Sequence, residues 1–256
     1  MKKKESESGG FPETADIETS SDAYASRFAG ATGAWLLQVQ ERIVLSKLKE
    51  RGSVTVLDVG GGHGQLTIPL CREKFQVTVM GSSEKCRARI ADLADSGQCG
   101  FEVGNVIALP FEDKSFDTVI CFRLVTHCTR WTQLIKELCR VARYSVIVDY
   151  PTTRSLNKIA PLLFRAKKSL EGNTRTWTMF RDREIYQEFG GHGFSMDSRS
   201  GQFFVPMVLH RALRCRRLSV ALEAVSGLLG LSKLWGSPVI VEMVRKAGPG
   251  ALRGCT

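Results

Sequence analysis

The stretch VTVLDVGGGHGQL, residues 54–66, joins an apolar run to a turn rich in glycine. The run from Val54 to Leu57 predicts a buried β-strand, and Asp58 follows it just before the glycines. A strand-to-glycine junction lets the backbone turn tightly and approach a bound nucleotide closely. The spacing is not that of a dinucleotide fingerprint, because Gln65 stands where the third glycine is required. The Gly-Lys-Ser/Thr ending of a phosphate loop is absent as well.

Composition is typical of a globular protein with one α/β domain: 256 residues, 43% hydrophobic and 24% charged. The net charge of +10 indicates either an anionic partner, such as nucleic acid, a membrane surface or an acidic substrate, or an inert basic surface. The eight cysteines include no C-x-x-C pair, so no metal site is expected, and a reduced, cytoplasmic location is favoured.

The N-terminus, MKKKESESGGFPET, has lysines but no apolar stretch behind them, which argues against a secretory signal. Its polar composition predicts a disordered tail over residues 1–20. The sequence has no run of 18 uncharged apolar residues, so no transmembrane helix is predicted.

Between residues 23 and 148, a long helical pattern is followed by apolar runs that alternate with helical segments. The alternation predicts a doubly wound, mostly parallel sheet with helices on both faces. The helical pattern covers residues 23–48; the predicted strands are Val54–Val59, Gln76–Met80, Gly100–Val103, Asp117–Phe122 and Ser145–Val148, and the predicted helices are Gln65–Glu73, Glu84–Ala94 and Trp131–Val141.

After Pro151 the regular alternation stops. The pattern predicts helical structure over residues 154–174, a helix ending at Gly190-Gly191, a strand within residues 200–209, helical structure over residues 217–235 and a last strand within residues 237–246. We interpret this as one domain, residues 21–256, with a helical substrate insert over about residues 152–200.

The pattern Asp58-x-Gly60-x-Gly62-x-Gly64 after a first strand resembles motif I of the class I S-adenosylmethionine-dependent methyltransferases. Residues 104–122, GNVIALPFEDKSFDTVICF, resemble the family's stretch that passes under adenine and enters the fourth strand. Residues 134–151 resemble the helix and fifth strand that follow. The resemblance covers about residues 22–150 and is greatest to the small-molecule, type 11-like branch, which includes quinone-ring methyltransferases.

The resemblance implies a Rossmann-like, seven-stranded, mostly parallel sheet whose last strand, near Val239–Val244, is antiparallel. It implies S-adenosylmethionine as cofactor, and a helical lid over residues 21–50 that carries Tyr24 and Phe28. Asp58 suits this ligand, because the amino-acid tail of S-adenosylmethionine carries an ammonium group that a carboxylate can hold. The cofactor contacts implied are Asp58, Gly60, Gly62, Gly64, Ser82, Asn105, Val106 and Phe122.

Two positions depart from the family pattern. Gly81 stands where an acidic residue usually accepts both ribose hydroxyls, so Ser82, Ser83 or Glu84 would have to replace it; Ser83 is the better candidate for a helix N-cap. Asn105 stands where aspartate usually meets the adenine amino group, and an amide oxygen can still accept from that group. These departures keep a non-catalytic binding protein as an alternative.

Methyl transfer from a sulfonium mainly requires alignment, and it needs a base only if the acceptor must lose a proton. His127 follows the fourth strand and is the candidate base, since histidine titrates near neutral pH; the alternative is a hydrogen-bonded histidine at a helix start. Tyr150, with Asp149, is placed to orient an acceptor hydroxyl, although Asp149 can also cap a turn. Tyr24, Phe28 and Arg123 are the candidate substrate contacts.

The function predicted is methyl transfer to a small organic acceptor, lipophilic or aromatic, with RNA methylation as the enzymatic alternative. The basic run from His210 to Arg217 precedes an apolar helical segment, which allows peripheral contact with an anionic membrane. The favoured interpretation of that segment is a core helix with its arginines, Arg211, Arg214, Arg216 and Arg217, on a solvated face.

Overall fold

The computed structural model describes residues 10–156 and 177–246, and a seven-stranded sheet lies at its centre. The strand order is β3-β2-β1-β4-β5-β7-β6. Neighbouring strands from β1 to β5 pair in parallel, whereas β7 runs antiparallel to both β5 and β6. The predicted fold class is therefore confirmed. The strands are β1 Thr55–Val59, β2 Gln76–Gly81, β3 Cys99–Val103, β4 Phe116–Cys121, β5 Ala142–Tyr150, β6 Phe194–Gly201 and β7 Val239–Arg245.

Helices cover both faces of the sheet and the edge at which β1, β2, β4 and β5 end. The described α-helices are α1 Ala15–Thr19, α2 Asp22–Ala25, α3 Gly30–Arg51, α4 Thr67–Arg72, α5 Ala91–Asp95, α6 Trp131–Val141, α7 Asp182–Gly191, α8 Met207–Leu213, α9 Arg216–Leu228 and α10 Leu231–Trp235. Short 3₁₀ turns occupy Ser26–Phe28, Gly61–His63, Glu84–Ile90 and Val125–His127. None of the helices in the described ranges is long and apolar enough to cross a membrane.

Alternate residues of the central strands build two core layers, because successive side chains of a strand point to opposite faces. One layer contains Leu57 and Val119, and the other contains Val56 and Ile120, all fully buried. A sheet buried on both faces requires continuous apolar strands, and that is why the runs were recognisable in the sequence.

The prediction of a disordered tail over residues 1–20 is wrong for its last part. Residues Ala15–Thr19 form α1, in which Asp16 and Thr19 are buried. The segment is held by tertiary hydrogen bonds of its carboxylates, described below, and composition does not report such contacts.

The long helical pattern over residues 23–48 is interrupted. A 3₁₀ turn at Ser26–Phe28 precedes α3, whose first residue, Gly30, has φ +77°. A Cβ on Gly33 would lie 2.2 Å from the carbonyl oxygen of Phe28, so a glycine allows the turn to fold back onto α3. The break directs Phe28 into the interior, at 8% exposure.

Two predictions after Pro151 also need correction. The strand expected within residues 200–209 is wrong: β6 ends at Gly201, and Met207–Leu213 is helical. The apolar residue Phe203 is buried against Trp35 and not within the sheet, whereas β6 is a polar edge strand whose pairing with β7 decides its place. The predicted insert of residues 152–200 overlaps α7 and β6, which belong to the regular fold. The helical prediction over residues 154–174 falls mostly outside the described residues.

Candidate active site

The glycine loop after β1 turns back tightly beneath the segment that follows β2. Gly60 and Gly64 have φ of +78° and +71°, a left-handed conformation that favours glycine. A Cβ on Gly62 would lie 2.1 Å from the carbonyl oxygen of Cys86. Glycine is therefore required at position 62, because backbone packs closely on backbone there.

Asp58 lies buried under this loop with one carboxylate oxygen engaged. Its Oδ2 accepts a hydrogen bond from the hydroxyl of Thr67 at 2.8 Å, and its Oδ1 has no partner among the described residues. Burial raises the pKa of the Asp58 carboxyl to about 7, while the Thr67 hydrogen bond opposes the rise. An oxygen that is buried and unpaired is suited to an incoming cation.

His63, inside the same loop, supplies a matching donor. Its Nδ1 accepts from the backbone N–H of Gln65 at 3.1 Å, so the ring proton resides on Nε2, which has no partner within the described chain. Burial lowers the pKa of His63 to about 3, and the charges of Arg123 and Arg89 lower it further. The imidazole is therefore neutral at physiological pH.

The loop thus offers one buried acceptor, Asp58 Oδ1, and one buried donor, His63 Nε2. The amino-acid tail of S-adenosylmethionine carries an ammonium and a carboxylate, which require one of each. The residues present therefore fit that group.

Asp16 is a site residue that the sequence analysis missed. Its Oδ2 accepts from the backbone N–H of Ser82 at 2.6 Å, and its Oδ1 accepts from the Ser82 hydroxyl at 2.5 Å. The Cys86 thiol also lies 3.3 Å from Oδ2. A carboxylate from α1 is thereby placed directly beyond Gly81, the position where the resemblance expects an acidic side chain. The absence of that acid at position 81 was the signal that another carboxylate could be sought.

The backbone at Gly81 leaves no room for a side chain. A Cβ there would lie 2.7 Å from the Cβ of Cys86. The acidic group of the family pattern cannot be carried by this residue unless Cys86 moves.

Glu13, also missed, fixes the other end of the N-terminal segment. Its carboxylate accepts from the backbone N–H groups of Thr129 and Arg130, at 3.2 and 2.9 Å, just before α6. Negative charge is favourable at the start of a helix, because the first N–H groups are unpaired there. Residues 13–20 therefore cross from the start of α6 to the end of β2, over the carboxyl ends of the strands between them.

Arg123, two residues beyond β4, holds the predicted lid. Its guanidinium donates to the hydroxyl of Tyr24 and to Oε1 of Gln40, both at 3.0 Å, and lies 4.3 Å from the ring centroid of Phe28. Arg123 has φ +59°, which is strained for a residue with a side chain. The structure brings together the three predicted substrate contacts, Tyr24, Phe28 and Arg123.

Asp149, near the end of β5, fixes the backbone of this arginine. Its Oδ1 accepts from the N–H of Arg123 at 2.6 Å. Burial raises the pKa of Asp149 to about 6, and the charge of Arg123 opposes the rise. The carboxyl is thus used by Arg123 and does not cap the following turn.

The three residues predicted to lie near adenine, Asn105, Val106 and Phe122, have different surroundings. The side-chain oxygen of Asn105 accepts from the backbone N–H of Ile107 at 3.2 Å, so its NH₂ group is the part available to a ligand. Val106 and Phe122 are buried in different core layers. They can contribute backbone or packing to a cofactor site.

The candidate catalytic residues differ in their surroundings. His127 is half-buried in the turn after β4, beside Thr126, which is joined to Thr178 by hydrogen bonds of 2.7 and 2.9 Å. Tyr150 is 1% exposed, and its hydroxyl donates to Asp182 at 3.0 Å. Burial, and next the charge of Asp182, raise the pKa of Tyr150 well above its usual range. Its hydroxyl is therefore engaged inside the protein.

Comparison with known families agrees with this geometry. Residues 56–144 match the model of a family described as methyltransferase domain. This span runs from β1 to β5 and contains the glycine loop. Over this span the chain is thus similar to a methyltransferase domain.

Solved structures show the same fold. Magnesium protoporphyrin IX methyltransferase from Synechocystis PCC 6803, with bound SAH, is 18% identical with a TM-score of 0.62, covering 88% of this chain and 94% of that one. A protein from Pyrococcus horikoshii OT3 is 19% identical with a TM-score of 0.57, covering 93% and 96%. The [4+2]-cyclase SpnF is 19% identical with a TM-score of 0.53, covering 76% and 75%. At such identities the likeness shows the fold alone, and the cyclase shows that the fold is not restricted to one activity.

Proposed function

We propose that the protein binds S-adenosylmethionine and transfers its methyl group to a small organic acceptor. The observation that carries the proposal is the pair of buried, unpaired groups at the glycine loop, Asp58 Oδ1 and His63 Nε2. When bound, S-adenosylmethionine supplies a methyl group on a sulfonium, whose departure leaves a neutral thioether. The protein then has mainly to hold and align the reactants.

In this proposal different residues bind the amino-acid tail, the ribose and the adenine of the cofactor. Asp58 holds the ammonium and His63 donates to the carboxylate of the amino-acid tail. Asp16 accepts from the ribose hydroxyls in place of an acid at position 81, and Ser82 orients Asp16 through two hydrogen bonds. Asn105 and the backbone of Val106 contact adenine, with Phe122 packed behind.

The acceptor is proposed to lie between the lid and the turn after β4. Arg123 closes this space by holding Tyr24 and lying on the ring of Phe28. Trp177 is 54% exposed and adjoins Thr178, which is bonded to the residue before His127. An exposed indole next to the segment that is bonded to the turn of His127 suits a flat apolar acceptor that must lose a proton from oxygen or carbon. Tyr150 is left out of the catalytic group, because its hydroxyl is bonded to Asp182.

Isothermal titration calorimetry with S-adenosylmethionine tests cofactor binding, and radiolabelled methyl transfer tests the acceptor. We expect the purified protein to label a lipid or small-molecule extract and to leave total RNA unlabelled. Labelling of RNA alone, falling steeply with salt, would establish RNA methylation instead. Cofactor binding without transfer to either pool would favour the non-catalytic alternative. A cytoplasmic location is part of the proposal and is tested by cell fractionation.

A further inference from the structure

Helix α9, Arg216–Leu228, turns its polar side towards the protein and its apolar side outwards. Its buried residues are Ser219 and Ser226, and Glu223 lies between them on the same face. This is the reverse of the arrangement expected for a helix that packs on a core. The favoured prediction of a core helix is therefore wrong, whereas Arg214, Arg216 and Arg217 are exposed as that prediction expected.

Glu223 explains the orientation. Its carboxylate accepts from the backbone N–H groups of Phe204 and Val205, at 2.9 and 2.8 Å, and lies 3.0 Å from Nε2 of His210. Burial acts to raise the pKa of Glu223, but the hydrogen bonds from His210 and the two N–H groups lower it overall. A charged residue with these partners fixes which face of α9 is inward.

The outward side of α9 carries exposed apolar residues at three- and four-residue spacing, namely Leu218, Leu222, Val225 and Leu229. Together with the exposed apolar residues of the next helix, α10, we call it the α9–α10 face. Leu228 is 88% exposed, Leu229 67% and Val225 56%. Scattered exposed apolar residues are normal in soluble proteins, but a contiguous set of this kind marks an interaction surface. The face comprises Leu218, Leu222, Val225, Leu228, Leu229, Leu234 and Trp235.

Cations border this face at the start of α9. Arg214, Arg216 and Arg217 are exposed, and none of them forms an ion pair with another described residue. Lys233 in α10 is exposed as well. An apolar helix face bordered by exposed arginines has the composition of helices that lie in the plane of an anionic lipid surface.

We propose that the α9–α10 face docks the protein onto an anionic lipid membrane. The apolar side chains would enter the boundary between headgroups and acyl chains, and the arginines would contact lipid phosphates. Arginine suits phosphate recognition because its planar guanidinium donates in pairs.

Charge argues against two other occupants of this face, namely a second copy of the protein and a segment of the same chain. A second copy docked symmetrically through this face would bring the same arginines together, and like charges oppose each other. The segments outside the described residues, 1–9, 157–176 and 247–256, each hold more Lys and Arg than Asp and Glu, so they do not complement the arginines. An anionic lipid surface supplies the missing negative charge.

The face also lies on the lid side of the molecule. α9 packs against α3, the long helix of the predicted lid, and Trp35 in α3 contacts Phe203 and His210. A groove of about 490 Å³ between the two helices is lined by residues that include Trp35, Arg216 and Val220. Docking would therefore hold the lid side close to the surface where an apolar acceptor dissolves.

Vesicle sedimentation with the purified full chain tests the docking without any cofactor, so its result is independent of methyl transfer. We expect the protein to sediment with vesicles of phosphatidylcholine mixed with phosphatidylglycerol and to bind far less to phosphatidylcholine alone. The double variant Arg216→Gln/Arg217→Gln should weaken binding by about tenfold or more, and high salt should act in the same direction. Leu228→Gln/Leu229→Gln should weaken it at every salt concentration.

Matched variants separate the face from general surface effects. Arg183→Gln removes an exposed cation from α7, and Val54→Gln removes an exposed apolar side chain before β1. Both should bind vesicles as the parent does. All altered residues are exposed, so the folded fraction should be unchanged by circular dichroism.

Three results would overturn the proposal. These are equal binding to both kinds of vesicle, equal loss in the control variants, or no binding to either vesicle. A dimer measured by light scattering that becomes a monomer in Leu228→Gln/Leu229→Gln would assign the face to a second copy of the chain.

Discussion

Asp16 accepts hydrogen bonds from both the backbone N–H and the hydroxyl of Ser82, although 66 positions separate the two residues in the sequence. The contact ties a buried residue of α1 to the end of β2. It supplies a carboxylate where Gly81 cannot, since a Cβ at that position would collide with Cys86. The N-terminal segment is therefore ordered around Asp16 and lies at the candidate site.

Replacing Asp16 by asparagine should lower the affinity for S-adenosylmethionine by about tenfold or more, because a charge-assisted acceptor for the ribose is lost. Asparagine can keep the Ser82 contacts, with its oxygen accepting and its NH₂ donating, so the fold should persist. Calorimetry measures the change. Asp113→Asn, at an exposed carboxylate paired with Arg140, is the control and should bind normally. Tighter binding in Asp16→Asn would mean that α1 obstructs the cofactor.

The affinity for S-adenosylmethionine should rise with pH between about pH 6 and about pH 7.5. Burial places the pKa of Asp58 at about 7, and only the ionised carboxylate attracts the ammonium. Above about pH 8 the amino group of the ligand itself loses its proton, so the gain should end there. The variant Asp58→Asn should bind weakly at every pH in this range. A parent protein whose affinity is constant across it would exclude Asp58 from holding the ammonium.

The free energy of unfolding should fall as pH rises from about 4 to about 7. Asp58 and Asp149 have pKa values of about 7 and about 6 in the folded protein, above their unfolded values near 4. The folded state therefore binds more protons in this window, which favours folding at its acidic end, and that contribution is lost as pH rises through the folded pKa values. Urea denaturation at a series of pH values measures the slope. Asp58→Asn should reduce it; an unchanged slope would mean that Asp58 titrates alike in both states.

Two substitutions at Arg123 should separate the effect of its strained backbone from the effect of its contacts with the lid. Both Arg123→Gly and Arg123→Ala remove the hydrogen bond to Tyr24 and the contact with Phe28, so both should raise the KM for the acceptor to a similar extent. Only glycine adopts φ +59° without strain, so the Arg123→Gly variant should be more stable than the Arg123→Ala variant by about 1 kcal/mol. Thermal unfolding and steady-state kinetics give the two quantities. Equal stabilities would show that the backbone relaxes in both variants.

Gly62→Ala should destabilise the fold as well as the site, because its Cβ would lie 2.1 Å from a backbone oxygen that cannot easily move. Gly190→Ala, in α7, meets nothing within 4 Å and should be neutral or stabilising by up to about 1 kcal/mol. Chemical denaturation compares the two. If both variants match the parent, the loop does not pack against Cys86 as described.

The elements of the central sheet could be predicted because each is bounded by local signals. The helix Trp131–Val141 has the predicted bounds, and the strands from β1 to β5 differ by a few residues at their ends. Continuous apolar runs report burial on both faces of a sheet, whatever lies further along the chain. The glycine turn around Asp58 and Gly60 was also predictable, because a tight turn after a strand is a local requirement, and its resemblance to motif I indicated the cofactor class.

Contacts between distant segments were not predictable. Asp16 lies in a polar stretch whose composition suggests disorder, and only the hydrogen bonds to Ser82 show it to be ordered. Arg123 could be named as a site residue, but its link to Tyr24 depends on how the turn at Ser26–Phe28 folds back onto α3.

By itself, then, the sequence determined the layers of the sheet and the glycine loop, since short-range patterns of polarity and backbone freedom specify them. The tertiary structure alone decided which carboxylate stands beyond β2 and which side of α9 faces outwards. The helical period of α9 is the same whichever face is buried. It was Glu223, through its bonds to the backbone of Phe204 and Val205, that selected the face, and a partner chosen by folding is not visible in the order of residues.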